Sequence, residues 1–390
     1  MPVSSVAQRP LPVLRSERTS IKWRRYAPDV LPLFVAEMDF ELAPSIVDAV
    51  SNALRSGDTG YLDGPGDLAP VFADFAAREW GWRVDPERVH LATDVTVGLV
   101  EALRLIVPPA GARVVVTPPV YAPFFEMIGE VHGRAVEVPL VEASGWTLDL
   151  QGIERAFADG AEAMLLCNPQ NPTGRCHSRQ TLEALAELAA RYDVAVLSDE
   201  VHAPLAHPGV VFTPFAPLAE AAGARSATVT SASKAWNLAA LKCAWIVAAD
   251  DRMAAVLTRL PEEAAARTSL LGLHAGLAAL QSTEWRDATV RQIVANIDIL
   301  RSELAEHAPR VRVVVPDAGY LVWLDLRDAG LGDDPAEVLR EEGRVAFNSG
   351  PTFGTGGAGF VRVNVACEPS TIVEAVRRVA VVLDARPPLE

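Results

Sequence analysis

Asn168-Pro169-Gln170-Asn171-Pro172-Thr173-Gly174-Arg175 follows the short apolar run Ala163–Cys167 and precedes a stretch, 178–192, with helical periodicity. Ser178 suits the N-cap of that helix, and Leu182, Leu185, Leu188 and Ala189 recur on one face. The next apolar run, 194–198, leads into Asp199-Glu200-Val201-His202. The run 227–230 leads into Ser231-Ala232-Ser233-Lys234. Apolar runs alternating with helices predict a mostly parallel sheet covered on both faces. Sheets of this kind take ligands at the carboxyl ends of their strands. An amide, a carboxylate and a lysine flanked by serines thus converge on one sheet edge.

Working outward, further strands are predicted at 89–93, 113–117, 135–138 and 244–248. Helices are predicted at 97–106, 123–131 and 150–158. Beyond Asp250 the pattern changes to three long helical stretches, 252–265, 269–280 and 283–307. Strands at 311–315, 320–324 and 360–364 follow, then a last helix over 369–383. The first forty residues are proline-punctuated and irregular. The expected organisation is an N-terminal segment, 1–45, packing with a small domain; a large domain, 46–282; and a linker helix with a small α+β domain, 283–390.

The chain has 390 residues, half of them hydrophobic, which excludes disorder as its main state. Thirty-five basic and fifty acidic residues give a net charge of −15, the wrong sign for a nucleic-acid partner. No apolar run approaches the roughly 18–20 residues of a membrane span, and residues 1–25 do not read as a secretion signal. Four widely spaced cysteines (Cys167, Cys176, Cys243, Cys367) form neither a C-x-x-C pair nor a disulfide framework. A reduced, cytoplasmic protein is expected. Only three lysines occur, Lys22, Lys234 and Lys242, which sharpens the question of why Lys234 stands at a strand end.

The converging groups suit pyridoxal 5′-phosphate (PLP). A lysine links to the aldehyde, a carboxylate pairs with the pyridine nitrogen, and hydroxyls and backbone N–H groups hold the phosphate. Other stretches carry a wider likeness. They are Thr19–Trp23, Asp29–Phe40, Gly60-Tyr61, Pro119–Phe124, Ser198–Ala203, Ser231–Leu238, Tyr320–Asp325, Phe353-Gly354 and Phe360–Cys367. In this order and spacing the chain resembles the PatB/MalY-type cystathionine β-lyases, fold-type I PLP enzymes within the class I/II aminotransferase superfamily. It departs from that family at Gln170, where histidine is usual, and at Glu37, where aspartate is usual. It departs again at Ala240, where glycine is common, and at Glu368-Pro369, where proline-arginine is usual.

The resemblance implies that Lys234 links to the cofactor, that Asp199 partners the pyridine nitrogen, and that Asn171 donates to the ring 3′-oxygen. His202 falls near that oxygen, although a structural histidine competes with this reading. Tyr121 would stack on the cofactor beside the substrate and assist proton traffic; plain core is the alternative. Val95 and Thr96, just before the 97–106 helix, suit the phosphate, and Ser231 and Ser233 join them as candidates. Lys242 stands where many aminotransferases carry a phosphate-binding arginine, and a plain strand-end lysine reads nearly as well. Tyr61 resembles a tyrosine that reaches the cofactor phosphate, beside the substrate, in the site of a neighbouring subunit, implying a homodimer. Arg362 would grip the substrate α-carboxylate bidentately. No metal site is expected.

Three functions fit such a chain. The favoured one is β-elimination from cystathionine or another cysteine S-conjugate. An aminotransferase shares every group named. A non-catalytic regulator built on the same fold would need an appended DNA-binding domain, and only about forty irregular residues precede the core.

Overall fold

A computed structural model describes residues 5–386. Its centre is a seven-stranded sheet in the order Val89–Ala92, Ala244–Ala248, Ser226–Thr230, Ala195–Asp199, Ala163–Cys167, Arg113–Val116, Arg134–Glu137. Only the Ala244–Ala248 strand runs against its neighbours, on both sides; the remaining pairs are parallel. Cys167 lies opposite Asp199, and Asp199 opposite Val229, so the ends of the three central strands are level. That register turns three distant sequence motifs into one edge.

The central strands bury every residue. Alternate side chains enter two cores: Val115, Met164, Leu166 and Val196 on one face, Val114, Val116, Leu165 and Leu197 on the other. A sheet apolar on both faces needs helices on both, which is why its strands read as continuous apolar runs. The helix Arg179–Tyr192 is capped by Ser178, whose Oγ accepts from the Thr181 N–H at 3.1 Å. It buries Leu182, Leu185 and Ala189 and ends at Asp193 in a left-handed conformation.

A second, antiparallel sheet has the order Asn348–Ser349, Phe360–Asn364, Leu321–Asp325, Arg312–Val314. The 25-residue helix Thr283–His307 packs against the C-terminal helix Pro369–Asp384 through a face that includes Ile293, Ile297, Leu300 and Leu304. Near the start of the chain, Leu31–Pro32 pairs in parallel with Val345–Ala346.

Several elements differ from the sequence reading. The helix predicted from residue 97 begins at Val95, because Asp94 is its N-cap and accepts from the Val97 N–H at 2.9 Å. The stretch 252–265 is two helices, Asp251–Leu257 and Glu262–Ala266, with Pro261 capping the second. The N-terminal segment is not wholly irregular: Leu11–Glu17 and Ile21–Arg24 are short helices. Helices Pro44–Ser56, Leu68–Trp80 and Pro335–Glu341 were not read from the sequence. Among the described residues, no helix is long and apolar enough to cross a membrane.

Candidate active site

Asp199 is the last residue of its strand and is buried, with Oδ1 accepting from the Val201 N–H at 3.1 Å. Burial pushes its carboxyl up to about 6, against the Val201 bond and the Lys234 charge. Lys234 follows the neighbouring strand in a tight turn. That turn is braced by Ser231, whose Oγ donates to the Cys243 carbonyl at 2.7 Å and accepts from the Ser233 N–H at 3.0 Å. Among the described residues, the Lys234 amine has one hydrogen-bond partner, the Ala36 carbonyl at 3.3 Å. Burial first, and the Arg362 charge second, pull its pKa down to about 8, against Asp199 and Glu37. A substantial share of neutral amine is therefore present near pH 8.

Arg362 comes from the second sheet, opposite Trp323 and Asn348 in the strand register. It is buried; NH1 donates to Asn171 Oδ1 at 2.9 Å and NH2 to the Phe34 carbonyl at 3.3 Å, over the Phe353 ring at 5.0 Å. Its Nε is buried with no partner. Asn171 is held by the turn that opens at Gln170, and its N–H reaches the Cys167 sulfur at 3.3 Å. Gly174 closes that turn at φ +69°. A Cβ there would lie 2.2 Å from Pro316, so only glycine fits.

Tyr121 is half-buried. Burial first, and the Asp199 charge second, push its hydroxyl pKa up, against the Arg362 charge. Its ring meets Phe124 edge-on at 5.9 Å. His202 is buried, and burial, with Lys234 and Arg362, holds its pKa down to about 3, so the ring is neutral. It meets Tyr320 edge-on at 6.1 Å.

At the start of the Val95–Ile106 helix, Val95 and Thr96 are the first two helical residues, and the Asp94 cap takes the N–H of Val97 rather than theirs. Lys242 Nζ bonds Asp94 Oδ2 at 2.8 Å, so this lysine neutralises the cap carboxylate at the same helix end. Ser231 spends its hydroxyl proton on Cys243, whereas the Ser233 hydroxyl bonds to no other described residue. Tyr61 is not gathered with the others: it is 94% exposed.

The stretch Asp29–Phe40 was singled out in the sequence without a role; its part Phe34–Phe40 crosses the site as a strap held by its carbonyls. Asn364 Nδ2 donates to Val35 and Glu37, and the Tyr320 hydroxyl joins Lys234 on Ala36. Asn237 holds Met38 through both its N–H and its carbonyl. Lys22 is buried beneath the strap, paired with Asp39 and bonded to the Glu37 carbonyl. Tyr320 and Asn364 stood in quoted motifs, but nothing in the sequence says which carbonyl a side chain meets.

The residues present fit PLP. A buried carboxylate held up at about 6 suits a cationic ring nitrogen, which would return it to the anion. An amine whose hydrogen-bond partner among the described residues is a carbonyl suits the aldehyde, and the two first-turn N–H groups suit the phosphate. The unpartnered Arg362 Nε points to a further acceptor, such as a substrate carboxylate.

Comparison with known proteins agrees. The family described as aminotransferase class I and II matches residues 28–379. A Mycobacterium leprae protein provisionally named cystathionine β-lyase is 41% identical over 384 residues, 93% of this chain and 94% of that one. The cystathionine β-lyase of Corynebacterium glutamicum is 36% identical over 371 residues, covering 95% of this chain and 98% of its own. The crystal structure of a Corynebacterium diphtheriae protein, provisionally described as a PLP-dependent β-cystathionase, superposes with a TM-score of 0.91 at 34% identity. It covers 97% of this chain and 99% of that one.

Proposed function

The chain belongs to the class I and II aminotransferase family of fold-type I enzymes, close to the PatB/MalY-type lyases, with PLP as its cofactor, and we propose that it is a carbon–sulfur β-lyase. Its substrates on this reading are cystathionine or related cysteine S-conjugates, and its products pyruvate, ammonia and a thiol. The observation that carries the reading is whole-chain identity of 36% and 41% to proteins named for that activity.

The cofactor, when bound, supplies an electron sink for the charge left at Cα. The protein's own groups do the rest. Arg362 holds the α-carboxylate and so orients the Cα–H bond. Asp199, returned to the anion by its cationic partner, keeps the proton on the pyridine nitrogen. Asn171 would donate to the ring 3′-oxygen, and neutral His202 would stand as a second group for it. Lys234 would hold the cofactor through Nζ, and the same Nζ, an amine with a pKa near 8, is suited to take the Cα proton. Tyr121 covers one ring face, and the Phe34–Phe40 strap limits access of water. Breaking Cβ–S then releases the thiolate.

The working unit on this reading is a homodimer with Tyr61 reaching the partner's site. Support comes from the 94% exposure of Tyr61 and from Leu54 and Val47, exposed on the adjacent helix Pro44–Ser56. The deciding experiment is product analysis with cystathionine, with and without a keto-acid acceptor. Pyruvate and thiol formed without the acceptor support the lyase. Turnover only with the acceptor, and no thiol, would make the enzyme an aminotransferase.

A further inference from the structure

We propose that Gln170 is a positioning residue whose side-chain amide locks the Tyr121 loop to the Asn171 loop and so sets the Tyr121 ring over the cofactor. This rests on the reading of Tyr121 as the residue covering that ring. Gln170 is 1% exposed. Its Nε2 donates to two backbone carbonyls of the facing loop, Thr117 at 3.0 Å and Pro119 at 2.9 Å. Both amide protons are thereby used. Tyr121 follows two residues after Pro119.

The other end of the residue is equally fixed. Gln170 N–H donates to the Arg175 carbonyl at 2.8 Å, and its carbonyl accepts from the Gly174 N–H at 2.7 Å. Because Nε2 is committed to two carbonyls, Oε1 acts only as an acceptor, and His177 Nε2, 3.4 Å away, is its donor. His177 is buried, burial pulls its pKa down to about 4, and its neutral ring carries one N–H, which meets Oε1 only in the tautomer protonated at Nε2. Asn171, the next residue, receives Arg362. The Tyr121 loop is tied on its far side as well: Val120 N–H donates to the Phe353 carbonyl, and the Phe353 ring lies under Arg362. One amide therefore couples the group proposed for the ring face to the group proposed for the ring oxygen. Histidine, the usual residue here in the resembled family, offers one ring N–H to these carbonyls where glutamine offers two.

The test uses the PLP-loaded enzyme and three variants, Gln170→Leu, Gln170→Asn and Gln170→His, each made also in a Tyr121→Leu background. The readings are the visible circular dichroism of the bound cofactor, the PLP dissociation constant, and kcat and KM for pyruvate formation from cystathionine. Gln170→Leu removes both Nε2 bonds and, with them, the longer His177 contact at Oε1. It is expected to diminish the dichroic band, weaken PLP retention roughly tenfold to a hundredfold, and lower kcat more than it raises KM. In the Tyr121→Leu background the same change is expected to have an effect below about threefold, because the ring it positions is gone. Gln170→His is expected to fall between wild type and Gln170→Leu. Gln170→Asn, too short to span both carbonyls, is expected to follow leucine and stands in for it if that variant does not fold. Effects of equal size in both backgrounds, or an unchanged dichroic band, would overturn the proposal. Dichroism and PLP retention are read without substrate, so failure of the lyase reading shows separately, as absent pyruvate with those two readings intact.

Discussion

Replacing Arg362 with lysine separates charge from geometry. The guanidinium reaches Asn171 Oδ1 with NH1 and the Phe34 carbonyl with NH2, while buried Nε has no partner. A carboxylate arriving here meets a planar fork. Lysine brings the same charge on a single ammonium, which cannot hold Asn171 and both carboxylate oxygens together. At least one charge-assisted hydrogen bond is lost, about 1.5–3 kcal/mol, or roughly 10- to 150-fold. Arg362→Lys is therefore expected to lower kcat/KM by that factor, through weaker binding and through misalignment of Cα–H. Cofactor content is expected to stay near wild type, because Asp199, Lys234 and the Val95–Thr96 turn are untouched. The assay is a substrate titration beside a cofactor-occupancy spectrum, with alanine, which has no leaving group at Cβ, as a binding probe. Unchanged substrate dependence would refute the role, and so would loss of PLP with substrate affinity intact.

Lys234→Ala is expected to abolish the covalent link to PLP, read by mass after borohydride reduction; a modified Lys22 or Lys242 would show the assignment to be wrong. Asp199→Ala is expected to cut turnover by orders of magnitude as the ring nitrogen loses its counter-charge, and near-normal turnover would count against it. Mixing Lys234→Ala with Tyr61→Phe subunits is expected to recover part of the activity if Tyr61 crosses to the partner; confirmed subunit exchange without recovery would place it elsewhere. Glu200 gives a pH prediction. It is buried, Oε1 accepts from Ser198 Oγ and the Phe215 N–H, Oε2 has no partner, and burial pushes its carboxyl up to about 8 from 4.5. The folded state therefore keeps a proton that the unfolded state loses. This group's contribution to stability falls as pH rises between those values, and its penalty is complete above the upper one. Glu200→Gln is expected to match wild type in melting temperature near pH 4 and exceed it by a few degrees near pH 9; an equal offset at both pH values would contradict the assignment.

The strands and their terminal groups were legible in the sequence because a sheet buried on both faces leaves a local mark. Its strands are unbroken apolar runs, and the first polar residues after them fall at the carboxyl edge. Asn171, Asp199 and Lys234 could be placed on that edge from the runs alone. The Val95–Ile106 helix starts two residues before the predicted position: Asp94, a residue type suited to an N-cap, caps it, and the two residues after it were read as preceding the helix.

What only the tertiary structure decided are pairings between distant residues and contacts to backbone carbonyls. Arg362 and Asn171 meet across 191 positions, and Lys242 meets Asp94 across 148. The strap over the site is held by its carbonyls at Phe34, Val35, Ala36 and Glu37, a pattern any side chains could overlie. Gln170 read as a departure from a family pattern; its two bonds to Thr117 and Pro119 exist because the fold brings two strand-end loops side by side. A carbonyl is the same acceptor at every residue. Which donor reaches it is therefore set by the register and crossing of elements, and that geometry is absent from the linear pattern.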